Sequence, residues 1–355
     1  MMYGFETHIL EKPGEKDRGR IAAFLAARGL RFEGSPEVSV VLEDPQGAVA
    51  ATASLEGPVI RMVATDPEWQ EAGLAAVAVS RLLEWARGAG RHHLFVYTKP
   101  EAALRFADLG FRELARVDPE VVLLEMGEPG AEAFRRELEA HRAQDEPDPE
   151  GGVGAAVVNA NPFTRGHRYL VEEARKRCGL LYLVVVETDR SLFPFADRIE
   201  LVRANTRDLP GVRVVRSGDY AVSAATFPTY FLRDPAEAAV ARLQTRLDVT
   251  LFAGLFVPAL GLTRRFVGTE PYCPTTALYN QAMEEILPPR GVEVTVIPRL
   301  AREGDPVSAS SVREAIRRDD WDRVRRLVPD PTWTYLTDPA RADLIRRIRE
   351  SRSAH

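Results

Sequence analysis

Apolar and polar positions divide the chain into two regimes. In the first, short apolar runs alternate with turn-forming residues. Val38–Leu42 and Ala48–Leu55 flank Asp44-Pro45-Gln46-Gly47, a hairpin turn sequence. Val59–Ala64, His93–Thr98 and Val121–Glu125 read as further strands. Between them Val77, Leu82, Leu83 and Ala86 recur at helical spacing and the pattern closes at Gly88 and Gly90; Glu101–Leu109 is the next helix, ended by Gly110-Phe111. Glu132–Arg142 reads as a connecting helix with Phe134 and Leu138 inward.

In the second regime strands and helices alternate. Val153–Val158 is a short buried strand, Leu170, Val171, Ala174 and Cys178 share one helical face with Gly179 as its expected cap, and Leu180–Val186 is a second strand. Ile199 and Val202 mark a helix, Val212–Val215 a strand, and Asp234-Pro235 a helix start. Arg265–Gly268, Thr276–Leu287 and Val292–Ile297 continue as strand, helix and strand, and Asp320–His355 reads as arginine-rich amphipathic helix. Such alternation predicts a parallel sheet with ligands beyond the carboxyl ends of its strands. Gln144–Gly152 is polar and proline-rich, so the expected domains are 1–143 and 153–355, with 144–152 as linker. The expected class is α/β throughout, a mixed sheet followed by a Rossmann-like parallel sheet.

Composition narrows the functional classes. A chain of 355 residues accommodates two cores, and a net charge of −5 without a basic stripe argues against nucleic acid as a partner. The chain shows no apolar run expected to span a membrane and no basic or apolar leader at its start, so a cytoplasmic setting is expected. Cys178 and Cys273 have no metal-type spacing, and no metal-ligating residues are assigned. With 43 arginines against 4 lysines, no single arginine stands out by type alone.

Chemistry concentrates after the Val153–Val158 strand. Asn161-Pro162 interrupts the pattern, and Thr164, Gly166 and His167 then fall at a helix start. Free amides and the helix dipole favour phosphate there, Gly166 leaves room for it to approach, and His167 can donate to oxygens that gain charge during transfer. The segment Asn159 to Leu170, Asn-Ala-Asn-Pro-Phe-Thr-Arg-Gly-His-Arg-Tyr-Leu, resembles the signature of citrate (pro-3S)-lyase ligases. These are a branch of the cytidylyltransferase-like nucleotidyltransferases in which Thr replaces the first His of His-x-Gly-His.

Two further segments carry the resemblance. Phe266-Val267-Gly268-Thr269-Glu270-Pro271-Tyr272 matches the family's nucleotide-site segment; Gly268 would allow close approach and Glu270 would accept from ribose hydroxyls. Val307-Ser308-Ala309-Ser310-Ser311-Val312-Arg313 resembles the motif Ile-Ser-x-Thr/Ser-x-x-Arg, whose Ser and Arg hold the outer phosphates. Ser311 and Glu314 also have capping-box spacing. The implied ATP-binding set is Asn161, Pro162, Phe163, Thr164, Gly166, His167, Gly268, Thr269, Glu270, Ser308, Ser310 and Arg313, with His167 and Arg313 catalytic.

In the first half, Gln70, Gly73 and Ala75 fit Gln-x-x-Gly-x-Ala at a strand-to-helix junction. With the element order and Leu109-Gly110-Phe111, this resembles GCN5-related acetyltransferases, in which that turn offers amides to the pyrophosphate of coenzyme A. Adjacent His92 and His93 have no carboxylate at useful spacing and read as surface or core residues, and Lys99 as a loop lysine.

The resemblance covers nearly the whole chain. It implies an acid–thiol ligase that activates acetate with ATP, with Mg²⁺ as the expected cation, and acetylates the thiol on the acyl carrier subunit of citrate lyase. Gln70, Gly73 and Ala75 would then hold the pyrophosphate of the carrier's prosthetic group. The alternative is a cofactor-biosynthetic nucleotidyltransferase, of pantetheine- or nicotinamide-nucleotide type, with a non-catalytic acyl-thioester-binding first domain.

Overall fold

A computed structural model describes residues 4–145, 151–188, 191–223, 235–269, 274–302 and 305–351. They fall into two compact units, Met1–Ala133 and Phe134–His355. In the first, β1 (Glu6–Glu11) and α1 (Glu15–Ala26) precede β2 (Val38–Glu43), β3 (Val49–Glu56), β4 (Val59–Thr65) and α2 (Leu74–Gly88). β5 (His93–Thr98), α3 (Ala103–Ala107), β6 (Arg112–Val117) and β7 (Val121–Gly127) complete it. The sheet runs β1-β2-β3-β4-β5-β7-β6. Its neighbours are antiparallel except β4 and β5, which pair in parallel at Val59–Phe95 and Ile60–Val96.

The lack of polar alternation in β2 and β3, whose interior polar residues Ser39, Thr52 and Ser54 are themselves buried, has a physical reason. Leu74, Ala78 and Leu82 of α2 cover one core, and Ile21, Phe24 and Leu25 of α1 pack with Val41 and Ala64 in another. A strand covered on both faces has no polar side to alternate with. β1, α1 and β6 are not foreseen by the sequence pattern, because their apolar positions are diluted by charge. His93 does have an acidic partner: its Nε2 lies 2.9 Å from Glu125 Oε2, on β7 beside it in the sheet. Glu125 Oε1 in turn accepts from the Ala131 amide at 2.9 Å. The pair is formed by sheet register, which spacing along the chain does not show.

Helix α4 (Ala131–Ala143) starts in the first unit and continues in the second. Its Phe134 packs against Tyr220 and Phe256, at ring separations of 5.0 and 5.6 Å. The division between units therefore lies ahead of the expected linker. Asp145 is also fixed, accepting from Tyr182 (2.9 Å) and Arg213 (2.5 Å).

The second unit continues with β8 (Val153–Val158), α5 (Arg165–Arg175), β9 (Leu180–Val185), α6 (Phe195–Ala204), β10 (Val212–Arg216) and α7 (Pro235–Leu260). β11 (Arg264–Gly268), α8 (Pro274–Ile286), β12 (Glu293–Ile297) and α9 (Ala309–Arg317) follow. The chain closes on α10 (Trp321–Leu327), α11 (Asp330–Thr337) and α12 (Ala342–Glu350). The single helix expected over Asp320–His355 is thus three, separated near Pro329 and Pro339. Gly179 is not the cap of α5; its amide bonds to the carbonyls of Gly151 and Gly152 ahead of β9.

The five strands are all parallel, in the order β10-β9-β8-β11-β12. The chain winds outward from β8 through β9 to β10, then returns to the other side of β8 with β11. The switch point lies between β8 and β11, the place where such sheets open to ligands. Ala239–Leu260 within α7 is long and apolar enough to cross a bilayer, contrary to the expectation from sequence, but 67% of its apolar window is buried in the protein. It is a core helix.

Candidate nucleotide site

The turn after β8 is held from several sides. Ala160 has φ +52°, a left-handed conformation that costs an alanine about 1 kcal/mol. Asn161 is buried, and its Oδ1 accepts from the Phe193 amide at 3.2 Å. The Asn161–Pro162 peptide is cis. Phe163 is fully buried, with its ring 5.4 Å from that of His167.

Thr164 caps α5, and the cap involves His167. The Thr164 hydroxyl accepts from the His167 amide at 3.3 Å, while the Thr164 amide donates to His167 Nδ1 at 3.0 Å. With Nδ1 accepting, the neutral ring carries its proton on Nε2. Burial, with the Arg299 charge nearby, lowers the His167 pKa to about 4. At neutral pH His167 is therefore an uncharged donor at Nε2.

Gly166 has a different role from the one its motif suggests. A Cβ there would lie 2.4 Å from the carbonyl oxygen of Val307. The glycine admits the backbone that leads into α9, so the N-termini of α5 and α9 lie side by side. Ser308, the N-cap of α9, accepts from the Ser311 amide at 3.0 Å. The expected Ser311–Glu314 capping box is not formed; Glu314 pairs with Arg317 and Arg318. Arg313 is 2% exposed. Its guanidinium donates to the Asn161 carbonyl and, at 3.2 Å, to exposed Ser310 Oγ. Burial lowers its pKa to about 10, so it stays protonated. Arg313 thus grips the β8 turn.

The third segment joins through β12. Thr269 donates its amide to Ile297 (3.0 Å) and accepts at Oγ1 from the Arg299 amide (3.0 Å). Arg299 is the cation that acts on His167. A Cβ on Gly268 would meet only open space, so that strand end faces a void. Glu270 and Cys273 lie outside the described residues. Asn161 to His167, Gly268 and Thr269, and Ser308 to Arg313 thus meet around the switch point.

In the first unit Asp66 caps a 3-10 turn over Pro67–Ala72 that carries exposed Gln70. Gly73 follows with φ +69°, and no side chain caps α2 behind it. A Cβ on Gly73 would meet nothing within 4 Å. Together with half-buried Ala75, this leaves the first amides of α2 open to an anion.

Residues 153–336 match the profile of the citrate lyase ligase C-terminal domain, and residues 8–111 that of the acetyltransferase (GNAT) family. The citrate (pro-3S)-lyase ligase of Klebsiella pneumoniae is 37% identical over 335 residues, covering 92% of this chain and 96% of that protein. The chain belongs to the citrate lyase ligase family. The Escherichia coli K12 ligase is 35% identical, covering 94% of this chain and 95% of the relative, and that of Haemophilus influenzae is 34% identical over 91% and 96%. All three relatives carry the ligase name, which does not favour the cofactor-biosynthetic alternative. In this citrate lyase ligase family member Arg198 and Arg299 also bear on the site, and among 43 arginines nothing in the sequence sets them apart.

Proposed function

We propose that the chain is an ATP-dependent, AMP-forming ligase that acetylates citrate lyase in the cytoplasm, and that its second unit performs the activation step. The observation that carries this reading is the meeting of two helix N-termini at Gly166 and Val307, with neutral His167 on one of them. In the first step an acetate oxygen attacks the α-phosphorus of ATP, the bond to the bridging oxygen breaks, and pyrophosphate leaves. Acetate, with a carboxyl pKa of about 4, is already ionised at pH 7, so no general base is required. The need is for donors to oxygens that gain charge. His167 Nε2–H and the first amides of α5 and α9 supply them, while Arg313 adds positive charge from beneath the turn.

Mg²⁺ fits as a companion of ATP. Among the described residues no group of three or more His, Cys, Asp or Glu could cage a metal. A cation held mainly by phosphates suits that surface. In the second step the thiol on the acyl carrier subunit attacks the acyl carbon and displaces AMP, with the thiol proton released. Gln70, Gly73 and Ala75 are assigned to the pyrophosphate of the carrier's prosthetic group. Exchange of labelled pyrophosphate into ATP, dependent on acetate, tests the first step. Exchange supported by phosphopantetheine or nicotinamide mononucleotide in place of acetate would overturn it.

A further inference from the structure

Arg198, on α6, is the largest fully buried side chain among the described residues. Its Nε donates to the Phe193 carbonyl at 3.0 Å. One terminal nitrogen donates to the Asn159 carbonyl (3.0 Å), to Asn159 Oδ1 (2.9 Å) and to the Val186 carbonyl (2.6 Å). The other donates to the Thr188 carbonyl at 3.2 Å. One planar cation thus ties the turn after β8 to the segment between β9 and α6. Phe193 extends the tie, since its amide donates to Asn161 Oδ1.

The consequence concerns which way the β8 turn faces. Ala160, in its left-handed conformation, sits between two residues whose carbonyls are each taken by a buried guanidinium, Asn159 by Arg198 and Asn161 by Arg313. A strained residue persists when its surroundings over-determine it. With the carbonyls drawn to the buried side, the turn is kept from presenting them to phosphate. We infer that Arg198 is a positioning residue for adenylation, fixing the Asn159–Thr164 turn so that α5 and His167 meet the nucleotide in the reactive geometry. This rests on the function proposed above.

The test uses the full-length protein with Arg198→Lys and the milder Asn159→Ala, which removes one acceptor while leaving the buried cation. Three quantities are measured: melting temperature, kcat and KM for ATP in acetate-dependent exchange, and amide hydrogen exchange of the peptide spanning 159–170. Lysine keeps the charge but not the fork. We expect Arg198→Lys to lower kcat about 100-fold, since small misplacements cost that much. KM for ATP should move less than threefold, and the peptide should exchange at least tenfold faster. Asn159→Ala should lose several-fold in kcat, in the same direction. A folded Arg198→Lys variant with normal kcat and a protected turn would overturn the inference. Should that variant fail to fold, normal kcat and protection in Asn159→Ala would overturn it instead. If the wild-type protein shows no acetate-dependent exchange, the proposed function falls, and hydrogen exchange still decides whether Arg198 orders the turn.

Discussion

Two of the helix starts that the motifs single out, α5 and α2, look alike in sequence and differ in construction. At α5 the cap is occupied: Thr164 and His167 bond to each other, and Gly166 is filled against the Val307 carbonyl. At α2 the cap is open: Gly73 has no side chain to offer, and the space where a Cβ would stand is empty. Both motifs suggest a glycine that lets phosphate approach. In one the glycine serves backbone packing, and in the other it serves a left-handed turn. A closed, cross-braced start suits a step that needs one fixed donor geometry. An open start suits holding a pyrophosphate group through amides alone.

Exchanging the two glycines for alanine should break this comparison most sharply. Gly166→Ala places a methyl 2.4 Å from a backbone oxygen. Because that neighbour is main chain, the α5 and α9 starts must separate. We expect a stability loss of about 2 kcal/mol or more and exchange activity reduced at least 1000-fold. Gly73→Ala meets no atom and should cost only about 1–2 kcal/mol, from its positive φ. It should leave acetyl-adenylate formation intact while slowing acetylation of the carrier. Urea denaturation and separate assays of the two steps check both. Equal losses in the two variants would mean that the starts are not built differently.

His167→Ala comes next in size. Removing one preorganised donor of this kind costs about 100- to 1000-fold in kcat. ATP binding should change only a few-fold, because the helix amides remain. A loss confined to KM for ATP would make His167 a residue that binds substrate without favouring the transition state.

How much of this was legible from sequence follows the range of the interactions. Most strands of both sheets, though not the charge-diluted edge strands β1 and β6, together with the α5 start and the position of the site beyond β8 and β11, are local or periodic features that the sequence carries. Three features of the site are not. The motif at Gly166 suggests only room for a ligand, because folding alone brings Val307 to it. Spacing to Glu314 offers Ser311 as a cap, whereas Ser308 caps α9, since both serines precede plausible partners. Arg198 and Arg313 act on carbonyls, and acceptors on the backbone leave no mark in the sequence. A carbonyl-gripping arginine among 43 is visible only once the turns are built. The cap itself is a smaller test: Ser308→Ala should cost about 1 kcal/mol of stability, measured by urea titration, with a modest loss of exchange.

The smallest effect expected on turnover concerns pH, where the two helix starts differ again because only α5 carries a titratable cap. A histidine near its ordinary value of 6.5 would put a limb in the rate profile close to neutrality, whereas His167 is held at about 4. Acetate-dependent exchange should therefore be flat in kcat/KM, which reports the free enzyme, from about pH 6 to 8 on account of this residue. Stability should respond where turnover does not. Between pH 6.5 and 4 the unfolded chain takes up a proton at His167 that the native state refuses, so its contribution is present above the unfolded value and is lost as pH falls. Linkage sets a ceiling of about 2 kcal/mol for the loss between pH 7 and 5, reduced by the solvent contact His167 retains. His167→Gln lacks the titration, so the stability difference between wild type and variant should shift against the wild type over that interval. A wild-type stability that follows the variant in parallel, together with a limb near pH 6.5 in kcat/KM, would return His167 to its ordinary value, titrating close to neutrality and charged only below it.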